Sequence, residues 1–392
     1  MENYKNQEDL RHYRLHLLHN ALNFEKVERI PNMSFFVTWK YIDAGYKLSE
    51  VFNDYNKLED ATIRHQELYN FDLLLEAGGR NLYRPTLPLG EPGYIFDDEV
   101  ASVSVREIEF VTRDQFRAFA DNPKKFIWEV VMPVRYPKFF EDADITHFSE
   151  SYYEYRKFMD ALGTISHRLT TQFGLPAALS FGCPKNPVEW TVNWMRGIKG
   201  FCLDMRQDPE LVHAAFDAFK EVFYDPQYNN IKAMAPGKNP ETMTDCGTSL
   251  LGHTLMNPNQ WDEFYWPYIG GTLKLVAEKD KSCRLFIQGS CARFWDYFAD
   301  MPKGSLMFSL ENDDLVETRK ALPNVCLNGG IPVEMLGHKS PEYCVNYVKK
   351  IVDDLGGIGL ILTEDKMGTY KSDARPETLK AVCDFALNYT DF

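Results

Sequence analysis

Polar side chains that could act as acids, bases or ligands follow short apolar runs towards the C-terminal end of the sequence. Carboxylates at such positions can donate a proton, polarise a substrate or bind a cation, and amides can orient a substrate or a water molecule. Because the carboxyl ends of parallel strands meet at one edge of a sheet, we expect residues at the ends of these runs to share a site. The residues concerned are Gln288, Glu311, Asn328, Glu364 and Asp365.

The apolar runs before these residues recur with helical stretches between them. Runs without strict alternation are typical of strands buried on both faces, and strand–helix repeats build parallel sheets. The sequence therefore predicts an α/β protein, and a barrel enzyme is the first hypothesis. The runs are Ser282–Ser290, Gly304–Asn312, Asn324–Gly330 and Gly357–Asp365, and the helical stretches include Leu315–Leu322 and Pro341–Leu355.

The N-terminal part of the sequence adds other elements to this repeat. Residues 6–24 have the pattern of an amphipathic helix, and Arg29–Val37 suits a first strand. Residues Tyr94–Val111 alternate between apolar and polar, so we predict a β-hairpin insertion over residues 85–111. No linker rich in Gly, Ser or Pro divides the chain, which favours a single domain over residues 1–392.

Asp245 and His253 flank a loop that follows a predicted strand, Pro240–Gly247. A carboxylate and an imidazole there could bind a metal ion or act as acid and base, with Glu364 as a third metal ligand. The alternative is a capping aspartate and a surface histidine. Gln288 cannot act as a general base, but its amide can orient a substrate. The catalytic candidates are Glu364, His253, Asp245 and Gln288, and the metal candidates are His253, Asp245 and Glu364.

Four further residues are candidates for substrate binding, and three of them have a structural alternative. Asn328 could hydrogen-bond a substrate at the end of its run, and Arg80 could hold a carboxylate or border the hairpin. Asp72 could act on a substrate or begin a strand. Trp190 could line an apolar pocket or belong to the core.

Composition excludes some classes of function. The formal net charge of −14 argues against nucleic-acid binding, because phosphates need a basic surface. No apolar run approaches the roughly 18 residues that a membrane span needs, and the charged N-terminal segment lacks a signal peptide's apolar core.

The eight scattered cysteines form no CxxC pair, so we expect reduced thiols in a cytoplasmic protein. Cys246 could add a thiolate beside Asp245, although a lone cysteine is more often a core residue.

Several phrases resemble uroporphyrinogen decarboxylase and its relatives, the zinc- and corrinoid-dependent methyltransferases. The resemblance implies a (β/α)8 TIM barrel with an N-terminal helix and with its site at the mouth formed by the carboxyl ends of the strands. The phrases are ALNFEKVERIP (Ala21–Pro31), MRGIKGFCLDMRQDPELVHAAFDAF (Met195–Phe219), NQWDEFYWPYI (Asn259–Ile269), FIQGSCARFWDYFADMPKGSLMFSLEN (Phe286–Asn312) and LNGGIPVEML (Leu327–Leu336).

Departures from the family's motifs restrict the activity that the resemblance implies. The arginine-rich loop that holds substrate propionates in the decarboxylases is replaced by FFVTWKYIDAGYK (Phe35–Lys47), which has lysines and no arginine. The His-x-Cys pair and late cysteine of the thiol-methylating enzymes correspond to Phe286, Gln288 and the segment 363–365. Uroporphyrinogen decarboxylation and the coenzyme M type of zinc site are therefore disfavoured.

The remaining hypothesis is a corrinoid-linked methyltransferase, which moves a methyl group from a small O-, N- or S-methylated substrate to a corrinoid carried by a partner protein. Zinc is a candidate cofactor, and a homodimer is a candidate assembly. Two alternatives stay open. One is a decarboxylase of a small or tetrapyrrole acid that uses Asp72 and Arg80, and the other is a catalytically silent binding or scaffold barrel.

Overall fold

Parallel strands follow one another in chain order around a barrel. The computed structural model describes residues 6–78, 82–90, 95–104, 110–141 and 145–392. The strands are β1 (Met33–Ser34), β2 (Leu73–Leu74), β3 (Ile95–Asp97), β4 (Ser102–Ser104), β5 (Ala177–Gly182), β6 (Thr242–Leu250), β7 (Cys283–Ile287), β8 (Leu306–Leu310), β9 (Cys326–Ile331) and β10 (Leu360–Glu364). All of them except β3 and β4 belong to the barrel.

Six of these strands form one continuous parallel sheet in the order β5-β6-β7-β8-β9-β10. A parallel bridge between Asn32 and Leu362 joins β10 to the segment that enters β1, and β1 pairs with β2. β2 lies beside β5, but the described residues form no ladder between these two strands. The predicted (β/α)8 TIM barrel is confirmed, with its weakest seam between β2 and β5.

The C-terminal strands agree with the predicted runs to within a few residues. Every residue of β7, β8 and β10 is buried, as expected for strands covered on both faces. The helix Pro341–Leu355 has the predicted bounds because its ends carry clear signals. Ser340 caps its N-terminus by accepting a hydrogen bond from the Tyr343 amide, and Gly356 ends it in the left-handed conformation.

The N-terminal third of the barrel is less regular. β1 and β2 have two residues each, and the segment between β2 and β5 contains the long helix Ile145–Phe173. That helix packs on Tyr55–Tyr69 and encloses a second apolar core beside the main one. β5 carries several exposed side chains, which is the pattern of an edge strand rather than of a fully buried one.

The predicted insertion contains a β-hairpin. β3 and β4 pair antiparallel, with Ile95 opposite Ser104 and Asp97 opposite Ser102. Phe96 stacks on Phe52 at 5.0 Å between ring centroids, which fixes the hairpin to the second core. The hairpin prediction is confirmed for these strands, and residues 91–94 and 105–109 lie outside the described part of the chain.

The remaining elements are mostly helices on the outside of the barrel. The α-helices are Gln7–Leu22, Trp39–Asp43, Leu48–Asn53, Tyr55–Tyr69, Tyr83–Thr86, Arg113–Phe119, Pro123–Phe126, Met132–Arg135, Pro137–Glu141, Ile145–Phe173, Pro187–Thr191, Gly197–Gln207, Pro209–Phe219, Asp225–Ala233, Pro258–Gln260, Trp266–Glu278, Leu315–Ala321, Val333–His338, Pro341–Leu355 and Pro376–Asn388. Single π-turns occur at Ile127–Val131, Val192–Arg196, Lys220–Tyr224 and Trp261–Tyr265, and 3₁₀ turns at Leu87–Leu89, Gly252–Leu255, Ala292–Phe298 and Lys371–Asp373. Among the described helices, none is long and apolar enough to cross a membrane.

Candidate active site

Two aromatic rings and a guanidinium meet inside the barrel. Phe35, just after β1, makes an edge-to-face contact with Phe286 of β7 at 5.3 Å between centroids. The guanidinium of Arg284 lies 5.2 Å from the Phe35 centroid and 6.0 Å from that of Phe286. Because β1 and β7 lie on different sides of the barrel, the side chains of Phe35 and Phe286 can contact each other only if both point into the barrel. Arg284 is only 8% exposed, so this wall combines apolar surface with a buried positive charge.

Glu364 is the last residue of β10 and is buried against the start of the barrel. Its Oε2 accepts a 2.6 Å hydrogen bond from the Phe35 amide. Its Oε1 has no partner among the described residues. Burial raises the pKa of Glu364 to about 7, although the Phe35 hydrogen bond acts in the opposite direction. The carboxyl can therefore hold or release a proton near neutral pH, which is the property that a general acid requires.

His253 lies in the turn that follows β6 and is fully buried. Its Nε2 is 3.2 Å from the Ser290 carbonyl oxygen, which can only accept, so Nε2 carries the hydrogen. Its Nδ1 has no partner among the described residues. Burial lowers the pKa of His253 to about 4, so the imidazole is neutral at physiological pH.

Glu189 fixes the position of the His253 turn. Its Oε1 accepts hydrogen bonds from the amides of Leu251 and Gly252, each at 2.9 Å, and from the hydroxyl of Tyr265. These bonds satisfy backbone donors that would otherwise be buried without partners. Sequence reasoning missed Glu189, because a glutamate on a helix is usually a solvent-exposed residue.

Asp245 does not lie at the end of its strand. β6 continues through Leu250, beyond the predicted end at Gly247, so Asp245 belongs to the strand's first half. Its carboxylate accepts hydrogen bonds from the Ser282 amide at 2.8 Å and the Asn239 amide at 2.9 Å, and Lys281 Nζ lies 3.5 Å away. Ser282 and Lys281 directly precede β7, and Asn239 precedes β6. The expectation of an Asp245 beside His253 is therefore corrected, because Asp245 lies in the first half of β6 whereas His253 lies in the turn after its end.

The predicted metal set of His253, Asp245 and Glu364 is not assembled. β6, which leads to His253, is separated from β10, which carries Glu364, by three other strands of the sheet. The carboxylate of Asp245 already accepts hydrogen bonds from the Ser282 and Asn239 amides. Within the described residues, a different group brings three possible metal ligands together, namely Cys183, Cys246 and Cys283. The residues predicted to hold zinc therefore do not fit a zinc ion.

Two predicted substrate ligands are buried and already hydrogen-bonded. Asn328 accepts from Ser309 Oγ at 2.6 Å and donates to the Ile361 carbonyl at 3.1 Å, so it joins strands inside the barrel. Asp72 stands just before β2 and accepts two hydrogen bonds from Arg29, at 2.8 and 2.6 Å. Its structural alternative, a carboxylate at the start of a strand, agrees with this position.

Trp190 belongs to an aromatic stack. Its ring lies 5.9 Å from Trp194 and 5.4 Å from Phe223, nearly parallel to both. Trp190 also lines a cleft of about 350 Å³ at the ends of β5 and β6. Gln288 is exposed directly after β7, in agreement with a position at the mouth. Arg80 lies outside the described residues.

Carboxylates also gather at the mouth. Glu311, after β8, accepts a 2.5 Å hydrogen bond from the Gly289 amide, and Asp365, after β10, accepts one from the Val333 amide at 3.1 Å. Burial raises the pKa of Asp365, and the negative charge of Glu311 acts in the same direction. Glu311 and Asp365 therefore lie near each other at the mouth, and each carboxylate holds a neighbouring loop by its backbone.

Two cations in the barrel were not predicted as site residues. Arg284 interrupts the apolar run SCRLFIQ, and a charge inside such a run is a signal that sequence reasoning could have used. Lys40, after β1, is 1% exposed, and its ammonium donates to the Glu76 carbonyl after β2. Burial lowers the pKa of Lys40 to about 8. Its burial depends on how the first two strands pair, which the sequence does not show.

Comparisons with known proteins agree with this architecture. Residues 173–364, from the end of the long helix to the end of β10, match the family model of uroporphyrinogen decarboxylase (URO-D). The superfamily predicted from the sequence is confirmed by this match, which covers the segment that carries Arg284, Phe286 and Glu364. No curated protein matches the chain.

A solved structure has the same fold over nearly the whole chain. It is a methyltransferase from Methanosarcina mazei, with a TM-score of 0.59 and 15% sequence identity. The match covers 95% of this chain and 98% of that chain. At this identity the likeness establishes the barrel fold and leaves the activity to be argued from the site.

Proposed function

We propose that this chain is a methyltransferase of the uroporphyrinogen decarboxylase superfamily, which takes a methyl group from a small O-, N- or S-methylated substrate. The observation that carries the proposal is the buried carboxyl of Glu364, which has a pKa near 7 and an Oε1 without a partner among the described residues. A buried polar atom without a partner commonly marks the place of a ligand or water. The methyltransferase from Methanosarcina mazei, which shares the fold, supports this class of reaction.

In the proposed reaction, Glu364 acts as the acid that makes the leaving heteroatom a better leaving group. The methyl carbon forms its new bond with an electron pair of the acceptor, and the pair of the broken carbon–heteroatom bond stays on the heteroatom. The proton of Glu364 neutralises the negative charge that this pair leaves on the heteroatom. Solvent later returns a proton to Glu364. General acid catalysis of this kind is worth about 10²- to 10⁴-fold in rate. The proposed acceptor is a reduced corrinoid that a second protein brings to the barrel mouth.

Arg284 and its two aromatic neighbours suggest what else the substrate carries. A guanidinium binds a carboxylate through two parallel hydrogen bonds, and rings such as Phe35 and Phe286 favour a flat or apolar body. We therefore propose a substrate that joins a methylated heteroatom to a carboxylate through a small apolar or aromatic group. Methoxybenzoates have this composition.

The test is a methyl-transfer assay with chemically reduced cobalamin and a panel of methoxybenzoates, methylated amines and thioethers. We expect formation of methylcobalamin, followed by its absorption spectrum, with a carboxylate-bearing substrate. Glu364→Gln should lower the rate by about 100-fold or more, whereas Glu317→Gln, which changes an exposed glutamate, should not. Methyl transfer that is unchanged in Glu364→Gln would refute the assigned acid.

A decarboxylase is the second candidate, because the buried Arg284 would equally hold a substrate carboxylate. Asp72 gives this alternative little support, since its carboxylate is occupied by Arg29. Release of CO₂ from the same carboxylates without methylcobalamin would favour the decarboxylase. If neither CO₂ nor methylcobalamin forms, the catalytically silent barrel would be favoured.

A further inference from the structure

Three cysteines from neighbouring strands converge behind the barrel wall. Cys183 directly follows β5, Cys246 lies within β6, and Cys283 begins β7. Cys246 is the register partner of Cys283, and Phe181 is the partner of Cys246. Since Cys183 is two residues beyond Phe181, strand alternation places all three thiols on the same face of the sheet. We call these three residues the thiol cluster.

The distances in the thiol cluster would allow its three sulfur atoms to share one metal ion. The three sulfur atoms all lie within 4.8 Å of one another, and Cys183 Sγ is 3.9 Å from Cys283 Sγ. Zinc–sulfur bonds of about 2.3 Å in a tetrahedron separate the sulfurs by about 3.8 Å. A single ion could therefore bind with little movement of the backbone.

The thiol cluster is separate from the candidate active site. Arg284 and Phe286 point into the barrel towards Phe35, so the adjacent Cys283 lies on the opposite face, towards the helices. Cys183 is 8% exposed and the other two thiols are fully buried. The family's zinc ligands would instead fall at Phe286, Gln288 and residues 363–365, so this site does not correspond to theirs.

A cleft gives access to one edge of the thiol cluster. Cys183 lines the cleft of about 350 Å³ that Trp190 also borders, together with Lys185 and Asn186. An ion could enter by this route, and water could complete its coordination. Three thiolates and one divalent ion leave one net negative charge, which the nearby ammonium of Lys185 would partly offset.

We propose that Cys183, Cys246 and Cys283 bind one Zn²⁺ ion as thiolates, in a site that cross-links β5, β6 and β7. On binding, three S–H bonds break, three Zn–S bonds form, and three protons pass to solvent. Soft thiolate ligands favour zinc over magnesium or calcium. The site stabilises the exposed strand β5 and its function is structural, so this inference does not depend on the proposed methyl transfer.

The test is metal content and metal spectroscopy of the full chain purified under reducing, oxygen-free conditions. We expect about one Zn²⁺ per chain by mass spectrometry. After removal of zinc and addition of Co²⁺, thiolate-to-cobalt charge-transfer absorption should appear in the near ultraviolet and be abolished by one equivalent of Zn²⁺. Absence of both the zinc and the charge-transfer band from the wild-type chain would overturn the proposal without any variant.

Variants locate the ion. Cys183→Ala and Cys283→Ala should each lose most of the bound zinc, whereas Cys344→Ala, which removes a buried thiol outside the cluster, should retain it. Glu364→Ala and His253→Ala should also retain it. Zinc that is lost in Glu364→Ala or His253→Ala but kept in folded Cys283→Ala would contradict the proposal, as would a disulfide between Cys183 and Cys283 in the reduced preparation.

Discussion

The backbone amide of Phe35 donates a 2.6 Å hydrogen bond to Oε2 of Glu364. This bond connects the residue after β1 with the last residue of β10, so it spans the closure of the barrel. The same Phe35 places its ring against Arg284 and Phe286. Phe35 therefore contacts the proposed acid through its backbone amide, and Arg284 and Phe286 through its ring.

Glu364→Gln should change how stability depends on pH. The pKa of Glu364 rises from an ordinary 4.5 to about 7 on folding, so between these values the folded protein keeps a proton that the unfolded chain has lost. The free energy of unfolding therefore falls as pH rises through this window, by about 3 kcal/mol in total. Gln keeps the neutral shape, so the variant should gain stability relative to wild type between pH 4.5 and 7.5 in urea unfolding. A parallel pH dependence in both proteins would contradict the burial of Glu364.

His253→Gln should act in the opposite direction over a similar range. Burial lowers the pKa of His253 from 6.5 to about 4, so between these values the unfolded chain holds a proton that the folded protein lacks. The free energy of unfolding is highest above pH 6.5 and decreases as pH falls towards 4, by about 3 kcal/mol. The variant should be less sensitive to acid in thermal or urea unfolding. His167→Gln, at an exposed position of the long helix, is the matched control and should keep the wild-type acid sensitivity.

Asp72→Asn should destabilise the barrel without a specific effect on catalysis. Asp72 is fully buried, is held by Arg29, and has Arg14 Nε at 3.5 Å. Removing its charge leaves buried cations uncompensated, which costs about 3 to 5 kcal/mol. Urea unfolding should show this loss, whereas Asp160→Asn, in an exposed ion pair, should change stability by less than about 1 kcal/mol. If the Asp72→Asn variant keeps wild-type stability but loses the release of CO₂, the proposed role of Asp72 in a decarboxylase would be supported again.

Arg284→Met should weaken the binding of carboxylate ligands. The variant keeps the apolar bulk beside Phe35 and Phe286 but loses the guanidinium, so a methoxybenzoate should bind on the order of 10- to 100-fold more weakly by calorimetry. The corresponding uncharged methyl ether should bind equally to both proteins. Arg156→Met removes an exposed arginine and should leave both affinities unchanged. Equal loss for the charged and uncharged ligands would indicate a packing defect instead.

The sequence predicted the C-terminal half of the fold well because its signals are local. The helix Pro341–Leu355 carries its own cap at Ser340 and its own stop at Gly356, and the apolar runs of β7, β8 and β10 are bounded by polar residues. Asp245 was misplaced because β6 continues through Thr248 and Ser249, which have no apolar character of their own. There, pairing with β7 extends the strand beyond what composition indicates.

The site itself depends on relationships that a single sequence does not display. The thiol cluster brings together cysteines that are 100 residues apart, and their approach follows from the register of three strands. Glu364 could be selected as a strand-end carboxylate, but its raised pKa comes from burial against β1. Arg284 is an exception, because its charge within the apolar run SCRLFIQ is visible in the sequence and could have marked it as a site residue.

The closure of the barrel also has a consequence for the order of folding. Phe35 and Glu364 are 329 residues apart along the chain, and the entropic cost of closing a loop increases with its length. Contacts of such long range form slowly compared with neighbouring strand pairs. During synthesis, β1 can therefore contact β10 only after residue 364 has emerged from the ribosome. We therefore expect the buried carboxyl of Glu364, with its raised pKa, to form late in folding, after β1 and β10 have met.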